Sequence, residues 1–248
     1  MCTLVLLRRP GHDWPLLLAA NRDEMKDRPW DPPARHWSDR PEVLAGRDRL
    51  SGGSWLGINK DGVVAGVLNR YGTLGPQAGK RSRGELVLEA LDHAEARTAA
   101  EALADINPEA YRGFNLVVAD AREAWWLTLR GEGALVERQA FPDGLSILTA
   151  RDLNDTQSPR IARYRPLFEA ARAPDPDAGD WAEWQALLSS RAHDEDAGPG
   201  GAMTVELDNG FQTVSSSLIA LPEDPEVKPR WLFCPGMPEA AGFEALAL

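Results

Sequence analysis

A cysteine stands directly behind the first methionine, and the 248-residue sequence contains one other, Cys234. A residue as small as cysteine at position 2 permits removal of Met1. Cys2 would then carry a thiol and a free α-amine on one residue. In model compounds these groups titrate near ~8.5 and ~8, so the amine can serve as the thiol's local base. This is the logic of N-terminal nucleophile catalysis, which needs no separate histidine. The bland alternative is that Cys2 is a small apolar residue at the start of a strand.

A second polar group lies one hairpin later. The apolar run Leu16–Ala20 gives way to Asn21, Arg22, Asp23 and Glu24. The segments CTLVLLR and PLLLAAN read as strands around a PGHD turn. With the turn centred near His12, antiparallel partners sum to about 24. Cys2 then faces Arg22, with Asn21 and Asp23 beside it. An arginine next to a thiol favours the thiolate, and an aspartate can hold an α-ammonium. Read alone, NRDE is a solvated loop with internal ion pairs.

A third element fits the same chemistry. The strand VVAGVLN ends in Asn69, whose amide could face a developing oxyanion; the alternative is a turn-forming asparagine. It follows LSGGSWLGINKDG, where Gly52 and Gly53 imply a tight turn or a close backbone approach. Trp55 in that stretch is first a core residue and second a ligand-stacking candidate. Cys234, in WLFC, reads as strand-end packing.

The elements that must position these residues alternate in blocks. Two strands are followed by a proline-rich connection from Trp30 to Trp37, then VLAG, SWLGIN and VVAGVLN as short strands. Apolar residues recur at helical spacing from Ser82 to Ile106, which predicts two helices. FNLVVAD, EAWWLTLRG, ALVERQ and LSILTA read as strands. SPRIARYRPLFEAA is a helix capped by Ser158 with Pro159 at its first position, and DWAEWQALLSSR is another. HDEDAGPGGA reads as a loop, and FQTVSSSLIALP and RWLFCPG close the chain as strands. Blocks of strands and helices predict an α+β protein, and strands apolar on both faces predict sheets covered on both sides. Two antiparallel sheets with helices outside satisfy this, as one domain over residues 1–248.

Composition narrows the partners. The net charge is −11, which disfavours nucleic acid and anionic lipid. No stretch is long enough to span a bilayer, and LVLL is too short for a signal peptide. Two cysteines form no disulfide framework, and no zinc-ligand spacing occurs. A cytoplasmic protein without membrane insertion is expected. The sequence does not specify an oligomeric state.

The ordered set MCTL, NRDE with RPW, GGSWLGIN leading to GVLN, LTARDLND and SPRIARY resembles the NRDE family, also called the transport-and-Golgi-organization family. The similarity runs to about residue 165, with a weaker match through TVSSSLIAL. That family is similar to N-terminal nucleophile hydrolases with a four-layer αββα fold, including the penicillin acylase and bile-salt hydrolase branch. The resemblance implies Cys2 as nucleophile, Arg22 and Asp23 lining it, and Asn69 in the oxyanion hole. Asn21, Trp55 and Arg151 are the candidates for ligand binding. At two positions this sequence departs from the pattern: Ala150 and Arg151 replace an asparagine region, and Val214 stands where relatives place an arginine. Arg151, Asp152 and Ser215 are available to supply the polarity instead. The resemblance implies cysteine-nucleophile hydrolysis of a non-peptide amide with no cofactor. Its alternative is haem or lipid-like acyl-ligand trafficking on the same fold, with His36 the least implausible axial histidine, or an inert scaffold.

Overall fold

The computed structural model describes residues 2–248, the Ala240 side chain aside. They form two compact units, one from residues up to Arg28 together with Pro142–Leu248, the other from Pro29–Phe141.

The first unit is built on a six-stranded antiparallel sheet. Its strands are β1 (Thr3–Arg8), β2 (Leu16–Met25), β10 (Gly144–Leu148), β11 (Phe211–Leu221), β12 (Arg230–Cys234) and β13 (Glu244–Ala245). They lie in the order β10-β1-β2-β11-β12-β13. Val5, Leu17, Ala19, Ile147, Leu218 and Ala220 line one face of this sheet. They pack against Ile161, Tyr164 and Phe168 of α3 (Pro159–Ala170) and Trp184 and Leu188 of α4 (Ala182–Leu188). The alternate residues Leu4, Leu6, Leu16 and Leu18 are equally buried. A strand buried on both faces has no polar side, which explains the unbroken apolar runs LVLL and LLLAA.

The second unit is a seven-stranded antiparallel sheet in plain chain order. It comprises β3 (Trp30–Ala34), β4 (Leu44–Asp48), β5 (Leu56–Ile58), β6 (Val64–Asn69), β7 (Phe114–Ala119), β8 (Ala124–Leu129) and β9 (Glu137–Ala140). The expected helical pair is α1 (Gly84–Leu91) and α2 (Ala96–Ala104). Leu86, Val87, Ala90, Ala100 and Leu103 press on Ala65, Phe114, Leu116 and Leu127. Asn59 ties α1 to the sheet. Its Nδ2 donates to the carbonyls of Leu91 (3.0 Å) and His93 (2.7 Å), and its Oδ1 accepts from the backbone of Asp61 and Val63. Carbonyls at a helix end need such partners.

Both readings of the Gly52–Gly53 pair hold, one for each residue. Gly52 adopts φ +75° in a turn. At Gly53 an added Cβ would lie 2.5 Å from the Gly84 backbone, where Ser54 N–H donates to the Gly84 carbonyl.

Three expectations need correction. The proline-rich connection contains a strand, β3, at the sheet edge, where Pro32 and Pro33 need not satisfy two neighbours. The NRDE residues do not form a loop: they continue β2, because β11 pairs with them through Glu24 and Met25. Ser158 stands at the α3 N-cap position but its hydroxyl makes no cap bond; it accepts from Thr149 Oγ1 instead. The closing α5 (Pro238–Ala241) and β13 were not expected.

Edge strand β3 is held electrostatically. Arg47 Nε donates to Asp31 Oδ2 at 2.8 Å and Arg49 Nε to Oδ1 at 2.6 Å. The bonds from Arg49 and then Arg47 hold the Asp31 carboxyl down at about 2. A carboxyl lowered on folding contributes stability above its ordinary value and loses it as pH falls through the folded one. Between about pH 4 and 2, Asp31→Asn should therefore lose less stability than the wild type in acid titrations followed by urea unfolding. Gly53→Ala should lower stability by about 1–3 kcal/mol, because neither backbone at the Gly84 contact can give way cheaply; the urea midpoint reads it.

Candidate functional site

The hairpin register is the one expected. Thr3 pairs with Asn21, Leu4 with Ala20 and Arg8 with Leu16, so each pair sums to 24 and Cys2 falls opposite Arg22. The turn is locked by Trp14 N–H donating to His12 Nδ1 at 2.9 Å. On the far side of β2, Asn21 pairs with Ser216, Arg22 with Ser215 and Asp23 with Thr213. A bulge between Thr213 and Ser215 leaves Val214 out of register. Bulges re-aim neighbouring side chains and recur beside active sites.

Strand alternation divides the polar cluster between two faces. Thr3, Asn21 and Asp23 follow Val5, Leu17 and Ala19 on the face covered by α3 and α4. Arg22, and Cys2 opposite it, take the other face. Asn21 is 1% exposed. Its Nδ2 donates to the carbonyls of Leu188 and Met203, both at 2.9 Å, and Ser216 Oγ donates to its Oδ1 at 2.6 Å. This side chain is a strut between the sheet and α4, so its assignment to ligand binding is not supported by where it points.

Asp23 is the best-anchored member. Arg160 Nη1 reaches its Oδ2 at 3.0 Å, with the two side chains 4% and 0% exposed. Thr213 Oγ1 donates to its Oδ1 at 2.7 Å. The same Arg160 Nη1 donates to Thr3 Oγ1 at 2.6 Å, and Nη2 to the Gly200 carbonyl at 3.0 Å. Glu24 turns outward to Arg28.

Cys2 is a free, half-buried cysteine. Its Sγ–H points to the Asp23 carbonyl at 3.6 Å. Burial pushes the thiol up from its ordinary value, and the Asp23 charge adds to the rise; the Asp23 carbonyl contact and the Arg22 charge oppose it without prevailing. Burial thus disfavours the Cys2 thiolate, and the thiol needs a base to become a nucleophile. Its own α-amine, once exposed, would be that base. Cys234 is fully buried, and burial pushes its thiol to about 11. It is inert packing, as expected.

Arg151 lies three residues past the Leu4–Leu148 pair, and its Nη1 donates to Gln157 Oε1 at 3.1 Å. Ser215, opposite Arg22, is buried. Asn69 and Trp55 belong to the second unit. Asn69 ends β6 opposite Phe114, a residue of the helix-covered core. Its neighbour Arg70 donates from Nη1 to Asn115 Oδ1 (2.8 Å) and Thr128 Oγ1 (2.9 Å). Trp55 meets Trp30 edge-on at 5.7 Å, and its ring lies against Gly46, which is packing rather than an open stacking platform. His36 shares a hydrogen bond with the Pro32 carbonyl at 2.8 Å. Among the described residues, no His, Cys, Asp and Glu group could hold a metal ion, and no helix is long and apolar enough to cross a membrane.

Sequence reasoning missed Arg160, Thr213 and Thr3. One signal for Arg160 was present. In α3 it shares helical spacing with Tyr164 and Phe168, so an arginine sits on the buried stripe.

Residues 1–222 match the family described as Transport and Golgi organisation 2. The chain belongs to that family. Among curated proteins it is similar to the human Transport and Golgi organization protein 2 homolog. The two are 38% identical over 114 residues, covering 44% of this chain and 40% of the human one. The mouse homologue is 36% identical over 108 residues, covering 42% and 38%. The match thus spans about two fifths of these relatives' length. Among solved structures, a mutant of the conjugated bile acid hydrolase from Clostridium perfringens superposes with TM-score 0.57 at 12% identity, over 100% of this chain and 92% of that one. The Caenorhabditis elegans N-acylethanolamine-hydrolyzing acid amidase ortholog gives 0.52 at 14%, over 91% and 96%. The family member therefore has the N-terminal nucleophile hydrolase fold that the motif order implied.

Asn21→Ala should destabilise by about 2–6 kcal/mol, since it strips partners from the Met203 carbonyl and the Ser216 hydroxyl at ~1–3 each. Urea unfolding measures it. Iodoacetamide labelling of Cys2 in the native variant should keep the wild-type rate, because the two side chains lie on opposite faces.

Proposed function

We propose that this family member is a cysteine amidohydrolase of the N-terminal nucleophile type, acting on a non-peptide N-acyl amide. One observation carries the reading: the β1–β2 register brings the Cys2 thiol against Asp23 and opposite Arg22. The amidase and hydrolase names of the structural neighbours supply the substrate class.

Removal of Met1 exposes the Cys2 α-amine. The amine takes the Sγ proton, and the thiolate attacks the amide carbonyl carbon. The carbonyl π pair moves to oxygen, giving a tetrahedral oxyanion. Collapse expels the amine, which leaves with the proton held on the α-ammonium, and an acyl thioester remains on Cys2. Water adds to the thioester with the α-amine as base; the acid is released and Sγ is reprotonated. Arg22 shares the thiol's face and favours the thiolate during attack. Asn69 as an oxyanion donor rests on the family resemblance. No cofactor enters these steps. Two unpaired cysteines suit a reducing compartment, and we place the enzyme in the cytoplasm.

The word transport in the family's description favours a second reading, a non-catalytic carrier; haem or an acyl ligand as its cargo rests on the family resemblance alone. Intact-mass measurement after incubation with a panel of N-acyl amides separates the two. Hydrolysis predicts an acyl adduct on Cys2 after acid quench and release of the amine, both absent in Cys2→Ala. Turnover that survives Cys2→Ala contradicts it. A Soret shift on haem titration without any adduct would favour the carrier.

A further inference from the structure

Arg160 is the only charged side chain of α3 that is buried with the helix's core stripe. It reaches three separate segments. Nη1 contacts Thr3 Oγ1 on β1 and Asp23 Oδ2 on β2, and Nη2 contacts the Gly200 carbonyl in the loop before β11. Thr3 follows Cys2 in the chain, and Asp23 supplies the carbonyl that meets Cys2 Sγ. The guanidinium thus grips both strands on either side of the thiol, from the opposite face of the sheet. A planar guanidinium spreads its fixed donors over separate nitrogens and so spans these acceptors, whereas the three N–H donors of an ammonium diverge from a single nitrogen.

We propose that Arg160 is a positioning residue of the Cys2 site, fixing Asp23 and compensating its charge so that the thiol can be ionised. This rests on the proposed role of Cys2. Arg160 acts through Asp23 and does not touch the reacting atoms. Asp23 is the charge that opposes thiol ionisation, whereas Arg22 favours it. Among the described residues, β11 brings the hydroxyls of Thr213, Ser215 and Ser216 to this region, and the loop offers the Gly200 carbonyl. Arg160 is thus a buried cation in direct contact with the Asp23 carboxylate, and its loss leaves that carboxylate acting more strongly on Cys2.

The test is the pH dependence of Cys2 alkylation by iodoacetamide in the full-length protein, mapped by mass spectrometry. R160Q should raise the alkylation midpoint by at least ~0.5 pH unit, and a full unit would cut the thiolate about tenfold at pH values below it. R160K, which keeps the charge but not the fork, should shift it by less than about half as much. In a D23N background the carboxylate is gone, so D23N and D23N/R160Q should share one midpoint. An unchanged midpoint in folded R160Q overturns the proposal. So does a difference between D23N and D23N/R160Q, which would mean that Arg160 acts on the thiol directly. Where R160Q fails to fold, R160K decides: its midpoint should rise above that of the wild type, and no rise overturns the proposal. Alkylation reads the thiol and not amide turnover. A chain that cleaves nothing can thus still pass or fail this test.

Discussion

The site depends on the register of one hairpin, which the turn sets and a buried ion pair reinforces. β1 and β2 are apolar on both faces along most of their length, so alternation alone does not distinguish one register from the next. At the open end of the hairpin, Arg160 holds Thr3 on one strand and Asp23 on the other. Thr213 and Ser216 extend the same polar row onto β11 through Asp23 and Asn21. A slip of one residue would turn Asp23 away from Arg160 and bury its carboxylate without a cation, which costs several kcal/mol. The polar row therefore reinforces the pairing that places Cys2 opposite Arg22.

Alternation then gives the four NRDE residues different tasks. Asn21 and Asp23 point to the helices and build; Arg22 points with Cys2 to the opposite face. Glu24 turns to solvent and pairs with Arg28. A compact motif in the chain is thus not a compact site in space. The motif's density reflects two faces served by consecutive residues, with β11 bulged at Val214 where the faces must be reconciled. Cys2 touches this structure through the Asp23 backbone carbonyl, so the anchored aspartate positions the thiol even though its carboxylate faces the other way.

Much of this was legible before any coordinates. The hairpin sum follows from turn chemistry at PGHD and apolar runs of matched length, and it holds at every pair from Thr3 to Arg8. The helices between Ser82 and Ile106 are legible from period alone. β3 was hidden because prolines suppress a strand reading, and only the sheet edge makes them tolerable. The extension of β2 through NRDE was hidden for a similar reason: its partner, β11, lies some 190 residues away, and the pairing supplies the hydrogen bonds that a polar stretch alone would take from water. Asp23 Oδ1 and Thr213 have a sequence separation of 190, and no local pattern reports such a contact. Arg160 stood on an apolar stripe, which marks it as buried but does not say against what.

The central claim is that one residue combines a thiol with a free α-amine at the place where this register puts Asp23 and Arg22. An aldehyde probe tests it most directly, because thiazolidine formation requires both groups on one residue. Protein isolated from cells and treated with such a probe should carry the adduct on a peptide beginning at Cys2, with Cys234 unmodified. A mature chain that still begins with Met1 and forms no thiazolidine would contradict the account.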